Sequence, residues 1–299
     1  MFATIRDLIA HRRLLREFVV RDLKARYVGS SMGFFWSVIF PLLNLAVYFI
    51  VFRLIMEVRF GDKMGPEACA FWMLSGITVW TAFAETISRS TNCLVENGNL
   101  IQKVVFPSEI LPAFLTVSSL INMLIGIPLV LLGVGFFILK GDTAGFVEVE
   151  TASLALFDGQ VLAPPPDRTL RWGISMICLP LLMLGQGVFT LGLGYFLSTL
   201  NLFLRDTYHL VGVLVTFWMF ATPIFYPVEL VQSARDGQFA FILDINPMHW
   251  LIESYREVLL FGEWPPLNFI APFLLVAFFM FAAGSTFFRS QKARFPDLL

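Results

Sequence analysis

The chain has 299 residues, of which 57% are hydrophobic and 14% charged, with a net charge of −1 and a mean hydropathy of +0.76. This composition excludes an ordinary soluble domain. The apolar runs are close to the length of a membrane-spanning helix, whereas a membrane barrel would show short alternating strands. We therefore predict an all-α integral membrane protein, and we expect no nucleic acid among its partners.

The N-terminal segment, residues 1–28, precedes the first apolar run and carries seven of the 21 Lys and Arg residues. Its apolar residues recur at steps of three and four, which predicts an amphipathic helix at the inner membrane interface. This helix either anchors the chain to anionic lipid or docks a cytoplasmic partner. Because excess positive charge marks the cytoplasmic end of a span, we predict a cytoplasmic N-terminus without a cleavable signal peptide.

The first span is predicted from Met32 to Phe52, since a helix of about 21 uncharged residues crosses a hydrocarbon core of roughly 30 Å. Its polar side chains share one stripe of the helix. The members of this stripe are Ser37, Pro41, Asn44 and Tyr48. Polar groups in hydrocarbon need protein partners or water, so the stripe is predicted to face other helices or a lumen.

The second span is predicted from Ala68 to Ser90, and it carries a second polar stripe. The stripe consists of Thr78, Thr81, Glu85, Ser88 and Asn92. Glu85 is the one carboxylate within an apolar run of the sequence. It is either a functional acid or an ion-pair partner of Arg89, four residues later on the same helix.

A cytoplasmic loop, residues 97–109, follows the second span. Its middle, Leu100 to Phe106, is a short amphipathic segment that ends at Pro107. Loops that expose large apolar side chains to the cytosol usually bury them against another protein. The loop is therefore predicted to bind a partner protein.

The remaining spans are predicted at Ile110–Leu139, Gly173–Thr199, Thr207–Phe225 and Leu267–Phe288. Residues 140–172 form an extracytoplasmic excursion in which FVEVET and a turn signal predict a hairpin. The segment 226–266 is too polar for an ordinary span but has apolar residues at helical spacing. This pattern predicts either two short helices that dip into the outer leaflet or a pair of surface helices. Basic residues after the last span predict a cytoplasmic C-terminus.

Catalytic residues and metal ligands are not predicted. The three cysteines and three histidines show no spacing typical of a metal site or redox pair. No nucleotide-binding or hydrolase motif occurs in the sequence. We expect the chain to be driven by another subunit rather than to act as an enzyme.

Four stretches resemble, in this order, the permease subunits of bacterial ABC exporters for O-antigen, teichoic acid, capsule and related polysaccharides. They are RDLKARYVGSSMGFFWSVIFPLLNL, NLIQKVVFPSEILP, NLFLRDTYHLVG followed by TPIFYP, and NPMHWLIESYREVLL. The resemblance implies a single permease domain over residues 1–299, with six spans in the bacterial inner membrane. It implies a homodimer above two ATPase subunits, which bind ATP and Mg, and a substrate linked to undecaprenyl diphosphate. The excursion at 140–172 is longer than the family pattern.

The resemblance also implies two groups of site residues. The ATPase-coupling residues are Asn99, Leu100, Ile101, Gln102, Lys103, Val104, Phe106 and Pro107. The outer gate residues are Pro223, Tyr226, Pro247, Trp250 and Arg256. Aromatic side chains can stack on sugar rings, and with the polar stripes they supply channel-lining candidates. These candidates are Trp36, Ser37, Asn44, Tyr48, Thr81, Glu85 and Thr216.

Other classes stay open at this point. The chain could belong to an ABC exporter of another lipid-like or drug substrate. A membrane-embedded glycosyl or phosphoryl transferase would need convergent acids or a metal site. A channel or secondary transporter would show intramembrane charges or two matching broken helices.

Overall fold

A computed structural model of the chain describes residues 1–26, 35–55, 66–103, 106–140, 170–228, 231, 238–239 and 241–299. Every regular element within these ranges is a helix, which confirms the predicted all-α class. The predicted hairpin, most of the excursion at 140–172 and the start of the first span lie outside the described residues.

The described part of the chain contains twelve α-helices. They are α1 (Phe2–Ala10), α2 (Arg12–Ala25), α3 (Trp36–Tyr48), α4 (Pro66–Glu96), α5 (Gly98–Lys103), α6 (Ile110–Lys140), α7 (Leu179–Phe203), α8 (Thr207–Ala221), α9 (Phe241–Asp244), α10 (Pro247–Leu259), α11 (Leu267–Gln291) and α12 (Phe295–Leu298). A π-helix, Phe49–Ile55, continues α3, and 3₁₀ turns at Ile174–Cys178 and Lys292–Arg294 precede α7 and α12.

Among the residues that the structure describes, three stretches are long and apolar enough to cross a membrane: Ile110–Leu139, Ile174–Phe203 and Leu267–Leu298. They coincide with the third, fourth and sixth predicted spans. Two further apolar helices, Val38–Val51 and Thr207–Ala221, are shorter. The chain is therefore a membrane protein.

The N-terminal segment forms two helices, so the prediction of one helix over residues 1–28 is wrong in this respect. The chain leaves helical geometry at His11, where φ is −100° and ψ is 23°. Phe18 of α2 is buried in a cluster with residues of α6, whereas Phe2 and Ile9 of α1 stay exposed. The segment thus packs on the protein through both helices, and α1 keeps part of its apolar surface exposed.

The fifth predicted span ends earlier than expected, at Ala221 rather than Phe225. Thr222 is extended, with φ −104° and ψ 131°, and it precedes Pro223. Because the ring of a proline disfavours helical geometry in the preceding residue, the sequence itself contains the reason for this stop.

Helix α10 lies inside the protein, so the alternative of surface helices is wrong for this element. Eleven of its 13 residues are buried. It packs against α4, α7 and α11, and these contacts cover its polar side chains as well as its apolar ones. The polar residues of α10 are therefore interior groups.

The most extensive helix contact joins α7 and α11. A Cβ atom added at Gly284 of α11 would lie 1.9 Å from the carbonyl oxygen of Gly192 on α7. Small residues allow helix backbones in membranes to approach this closely. The core of the bundle therefore depends on the absence of a side chain at these two positions.

We expect Gly284→Ala to lower stability by at least about 1–3 kcal/mol, because the new methyl group meets backbone that cannot rotate away. Thermal unfolding of the purified protein in detergent measures this change. Gly212→Ala on α8 is the matched control, since no heavy atom lies within 4 Å of the added Cβ. An equal melting temperature for the two variants would show that α7 and α11 are not closely packed here.

Candidate functional site

A cavity of about 810 Å³ lies between α3, α4, α6 and α8. Four of the seven predicted channel-lining residues share its wall: Trp36, Asn44, Thr81 and Glu85. The polar stripes of the first two predicted spans therefore face one another across a common space. Helical periodicity alone had indicated only that each stripe turns away from lipid.

The other three channel-lining candidates are placed differently. The side chains of Ser37 and Tyr48 lie outside the described residues. Thr216 is exposed on α8, where its hydroxyl donates a hydrogen bond to the carbonyl oxygen of Gly212 at 3.0 Å. α8 reaches the cavity through Met219 instead.

The cavity wall also contains groups that the sequence analysis did not assign to it. Trp80 and Asn122 come from α4 and α6, and Phe40 packs on Trp36 with ring centroids 5.5 Å apart. The wall thus combines indole and phenyl faces with two carboxamides. Such a surface can stack on a sugar ring and also exchange hydrogen bonds with its hydroxyl groups.

Glu85 belongs to an ion-pair network at one end of the cavity. Its carboxylate contacts the guanidinium of Arg26 and lies 3.1 Å from Arg89 on the same helix. Arg89 also binds Asp22 of α2, and Nε of Arg26 lies 3.3 Å from the same carboxylate. The predicted pair of Glu85 with Arg89 is confirmed, and it extends to two residues that sequence spacing could not reveal.

Asp22 stays ionised within this network. Burial alone would raise its pKa, but the hydrogen bond and charge of Arg89 outweigh that effect and hold the pKa below its usual range. The network therefore brings together two carboxylates and two guanidinium groups. It joins the N-terminal segment to α4 beside the cavity.

Arg256 lies at the centre of the predicted outer gate and has no exposed surface. Its guanidinium donates to Glu253 at 2.6 Å, to the carbonyl oxygen of Pro223 at 2.9 Å and to that of Ile224 at 3.3 Å. It also lies 3.9 Å from the ring centroid of Trp72 on α4. One side chain thus connects α10, α4 and the segment after α8.

Asn246 forms a second connection that sequence reasoning missed. Its Oδ1 accepts hydrogen bonds from the amide of Met248 at 3.0 Å and from the indole of Trp218 at 2.9 Å. Its Nδ2 donates to the hydroxyl of Thr222 at 2.9 Å. The signal was present in the sequence, because Asn followed by Pro247 is typical of a helix cap with proline in the first turn.

The other outer gate residues surround these two connections. Tyr226 donates to the carbonyl oxygen of Phe220 at 2.5 Å and lines a second cavity of about 350 Å³. Pro247 begins α10 and Trp250 is half-buried on it.

The predicted coupling residues divide into an inner and an outer set. Leu100, Ile101 and Phe106 pack on the chain itself, and the rings of Phe106 and Phe18 lie 5.6 Å apart. Pro107 is half-buried. Asn99, Gln102 and Lys103 are exposed on α5, whereas Val104 lies outside the described residues.

Cysteines and metal ligands add no site in the described part of the chain. Cys69 and Cys93 are buried, and Cys178 is half-buried. No group of three His, Cys, Asp or Glu side chains converges as a metal site among the described residues.

Comparison with known proteins identifies the chain's relatives. Residues 166–260 match the ABC-2 type transporter family. The chain is 29% identical to the O-antigen export system permease protein RfbA of Myxococcus xanthus, over 99% of both chains. It is 28% identical to the protein of the same name from Klebsiella pneumoniae, over 93% of this chain and 92% of the relative. The resemblance to O-antigen export permeases is thereby confirmed.

We expect Arg256→Met to lower stability by about 3–5 kcal/mol, because it leaves Glu253 buried without its cation. Arg256→Lys should recover only part of this loss, since an ammonium cannot match the planar fork that reaches three acceptors. Thermal unfolding in detergent measures both, with Arg205→Lys at an exposed position as the control. Wild-type stability in Arg256→Met would contradict the assigned role.

Proposed function

We propose that this chain is the transmembrane subunit of an ATP-driven ABC exporter that moves an O-antigen-like polysaccharide out of the cytoplasm. Two curated relatives of nearly equal length are named as O-antigen export permeases. The observation that carries the proposal is the cavity between α3, α4, α6 and α8. At about 810 Å³ it falls within the range of roughly 300–1,000 Å³ that holds a small organic ligand.

The wall of this cavity suits a sliding polysaccharide. Trp36, Trp80 and Phe40 offer ring faces, which bind the apolar side of a sugar without requiring one geometry. Asn44 and Asn122 offer amides for passing hydroxyl groups. A polymer of repeating units needs this tolerance, because each sugar must bind and then leave.

The proposed assembly has six spans in each subunit, formed by α3, α4, α6, α7, α8 and α11. Two subunits associate as a homodimer in the bacterial inner membrane, with both termini in the cytoplasm. The apolar faces of α3 and α8 support an association through these helices, since Val47, Val213 and Phe217 are exposed. The alternative role of the same apolar surface is contact with lipid.

The proposed substrate is joined to undecaprenyl diphosphate. Support comes from α2, where Arg13, Arg16, Arg21 and Lys24 border a depression of about 760 Å³. A diphosphate needs positive charge at the inner membrane interface, and an amphipathic basic helix provides it.

Two copies of a separate ATPase subunit supply the energy, and ATP and Mg bind there. In this proposal α5 is the coupling helix that fits into a groove of the ATPase. Asn99, Gln102 and Lys103 form its exposed side and would contact the partner. Re-entrant outer helices, with α10 as the buried member, close the extracytoplasmic end.

The transferase alternative depended on Glu85 as an intramembrane acid. In the structure this carboxylate is neutralised by Arg26 and Arg89, so it is less suited to proton transfer than to holding α2 against α4. An exporter of another lipid-like or drug substrate remains the competing function. Export assays with the polysaccharide and with a drug-like substrate, in vesicles containing the permease and its ATPase, separate the two.

We expect Asn44→Cys and Thr81→Cys to react with a water-soluble thiol reagent in a chain without native cysteines, because a path for a sugar chain must admit water. Leu42→Cys on an exposed apolar face of α3 is the control and should stay unreactive in the membrane. The measurement is labelling with and without ATP. If both cavity positions stay unlabelled with ATP and also without ATP, while export proceeds, the cavity is not the path.

We expect Lys103→Glu to weaken association with the ATPase by about tenfold, since rim charges at an interface change binding without disturbing the fold. Lys103→Arg keeps the charge and serves as the matched control. Co-purification and the melting temperature of the permease are measured together. Unchanged co-purification in Lys103→Glu would place the coupling contact elsewhere.

A further inference from the structure

The segment after α11 packs directly against the proposed coupling helix. Phe295 has no exposed surface, and its ring centroid lies 5.0 Å from that of Phe288 on α11. Leu298 and Leu299 join the same apolar cluster, which also contains Leu100 of α5. The end of α11, the segment 292–299 and α5 therefore share one small core.

Two polar contacts attach this segment to the cytoplasmic loop, residues 97–109. In the middle of the loop, Nε2 of Gln102 donates to the carbonyl oxygen of Pro296 at 3.4 Å. Near its end, Nζ of Lys292 lies 2.7 Å from both carboxylate oxygens of Glu109. Glu109 is 1% exposed, so this ion pair is shielded from water on the carboxylate side.

The backbone at the start of α5 also lies close to the backbone at Leu299. A Cβ atom added at Gly98 would lie 3.6 Å from Cβ of Leu299. This separation is within the range of about 3.5–4.5 Å found between the Cβ atoms of a disulfide. The beginning of α5 and the end of the chain are thus close enough for a covalent test.

We propose that residues 292–299 form a positioning clamp, which fixes α5 and the beginning of α6 to the end of α11 so that the three move together. The clamp rests on the proposed function, because α5 must receive force from an ATPase for its attachment to matter. α11 has 25 residues, or about 38 Å of helix, and it packs against both α7 and α10. Displacement of α5 would therefore reach the helices around Arg256 through one continuous helix.

The first test uses the double variant Gly98→Cys with Leu299→Cys, in a chain without its native cysteines. Oxidation should produce the disulfide in nearly every molecule, and the oxidised permease should export as fast as the reduced one. The single variants Gly98→Cys and Leu299→Cys are the controls. Export that stops on oxidation and returns on reduction would overturn the clamp, because α5 and the segment would then have to separate.

The second test is a double-mutant cycle of Lys292→Met and Glu109→Gln, with polysaccharide exported per ATP hydrolysed as the readout. We expect each single variant to lower this ratio by at least about fivefold and the double variant to lower it little further, since the ion pair of Lys292 with Glu109 is lost in all three and the other cation near Glu109, Arg289, lies farther away at 3.9 Å. ATPase binding and ATP turnover should remain. An unchanged ratio in both single variants would overturn the clamp, and so would two losses that multiply.

Failure of the proposed function gives a different result. It would appear as a wild-type chain that binds no ATPase and exports no polysaccharide. In that case disulfide formation alone decides the geometry: complete oxidation of the double cysteine variant supports a fixed contact, and its absence overturns the clamp.

Discussion

A guanidinium without exposed surface governs the architecture around the cavity. A buried charge is tolerated when a counter-ion and hydrogen-bond acceptors replace the lost water, and Arg256 meets Glu253 and backbone carbonyls in this way. Two of those carbonyls belong to Pro223 and Ile224, where α8 has ended and no helical amide can bind them. Ile224 also borders a small pocket of about 50 Å³, whose lining shares Asn44 with the main cavity. The buried arginine therefore shapes one end of the cavity.

Ion pairs hold the other end. Asp22, Arg26, Glu85 and Arg89 connect α2 to α4 beside the cavity, with two charges of each sign. A balanced network of partly buried groups can cross-link helices without leaving a net charge in an apolar setting. The cavity thus lies between two polar junctions, and the helices that separate them meet largely through apolar side chains.

This arrangement fits a transporter driven from outside its own chain. The wall offers stacking surfaces and amides, while the carboxylate of Glu85 is already paired. The short helix α5 joins the same apolar cluster as α2 and the last residues of the chain, so a force applied there would reach several helices at once. In the proposed function the cavity performs no chemistry and has to bind each sugar weakly and repeatedly.

The sequence by itself determined the membrane class, the third, fourth and sixth spans and the inward face of each polar stripe. These properties depend on composition and on helical periodicity, which act over neighbouring residues. Only the tertiary structure decided the pairing of Glu85 with Arg26, the burial of α10 and the pairing of Lys292 with Glu109. Asp22 and Arg89 are 67 residues apart, and Lys292 and Glu109 are 183 apart. Local patterns cannot specify such distant pairs. The polar residues of α10 are likewise typical of an exposed helix, and only contacts with distant parts of the chain show that they are buried.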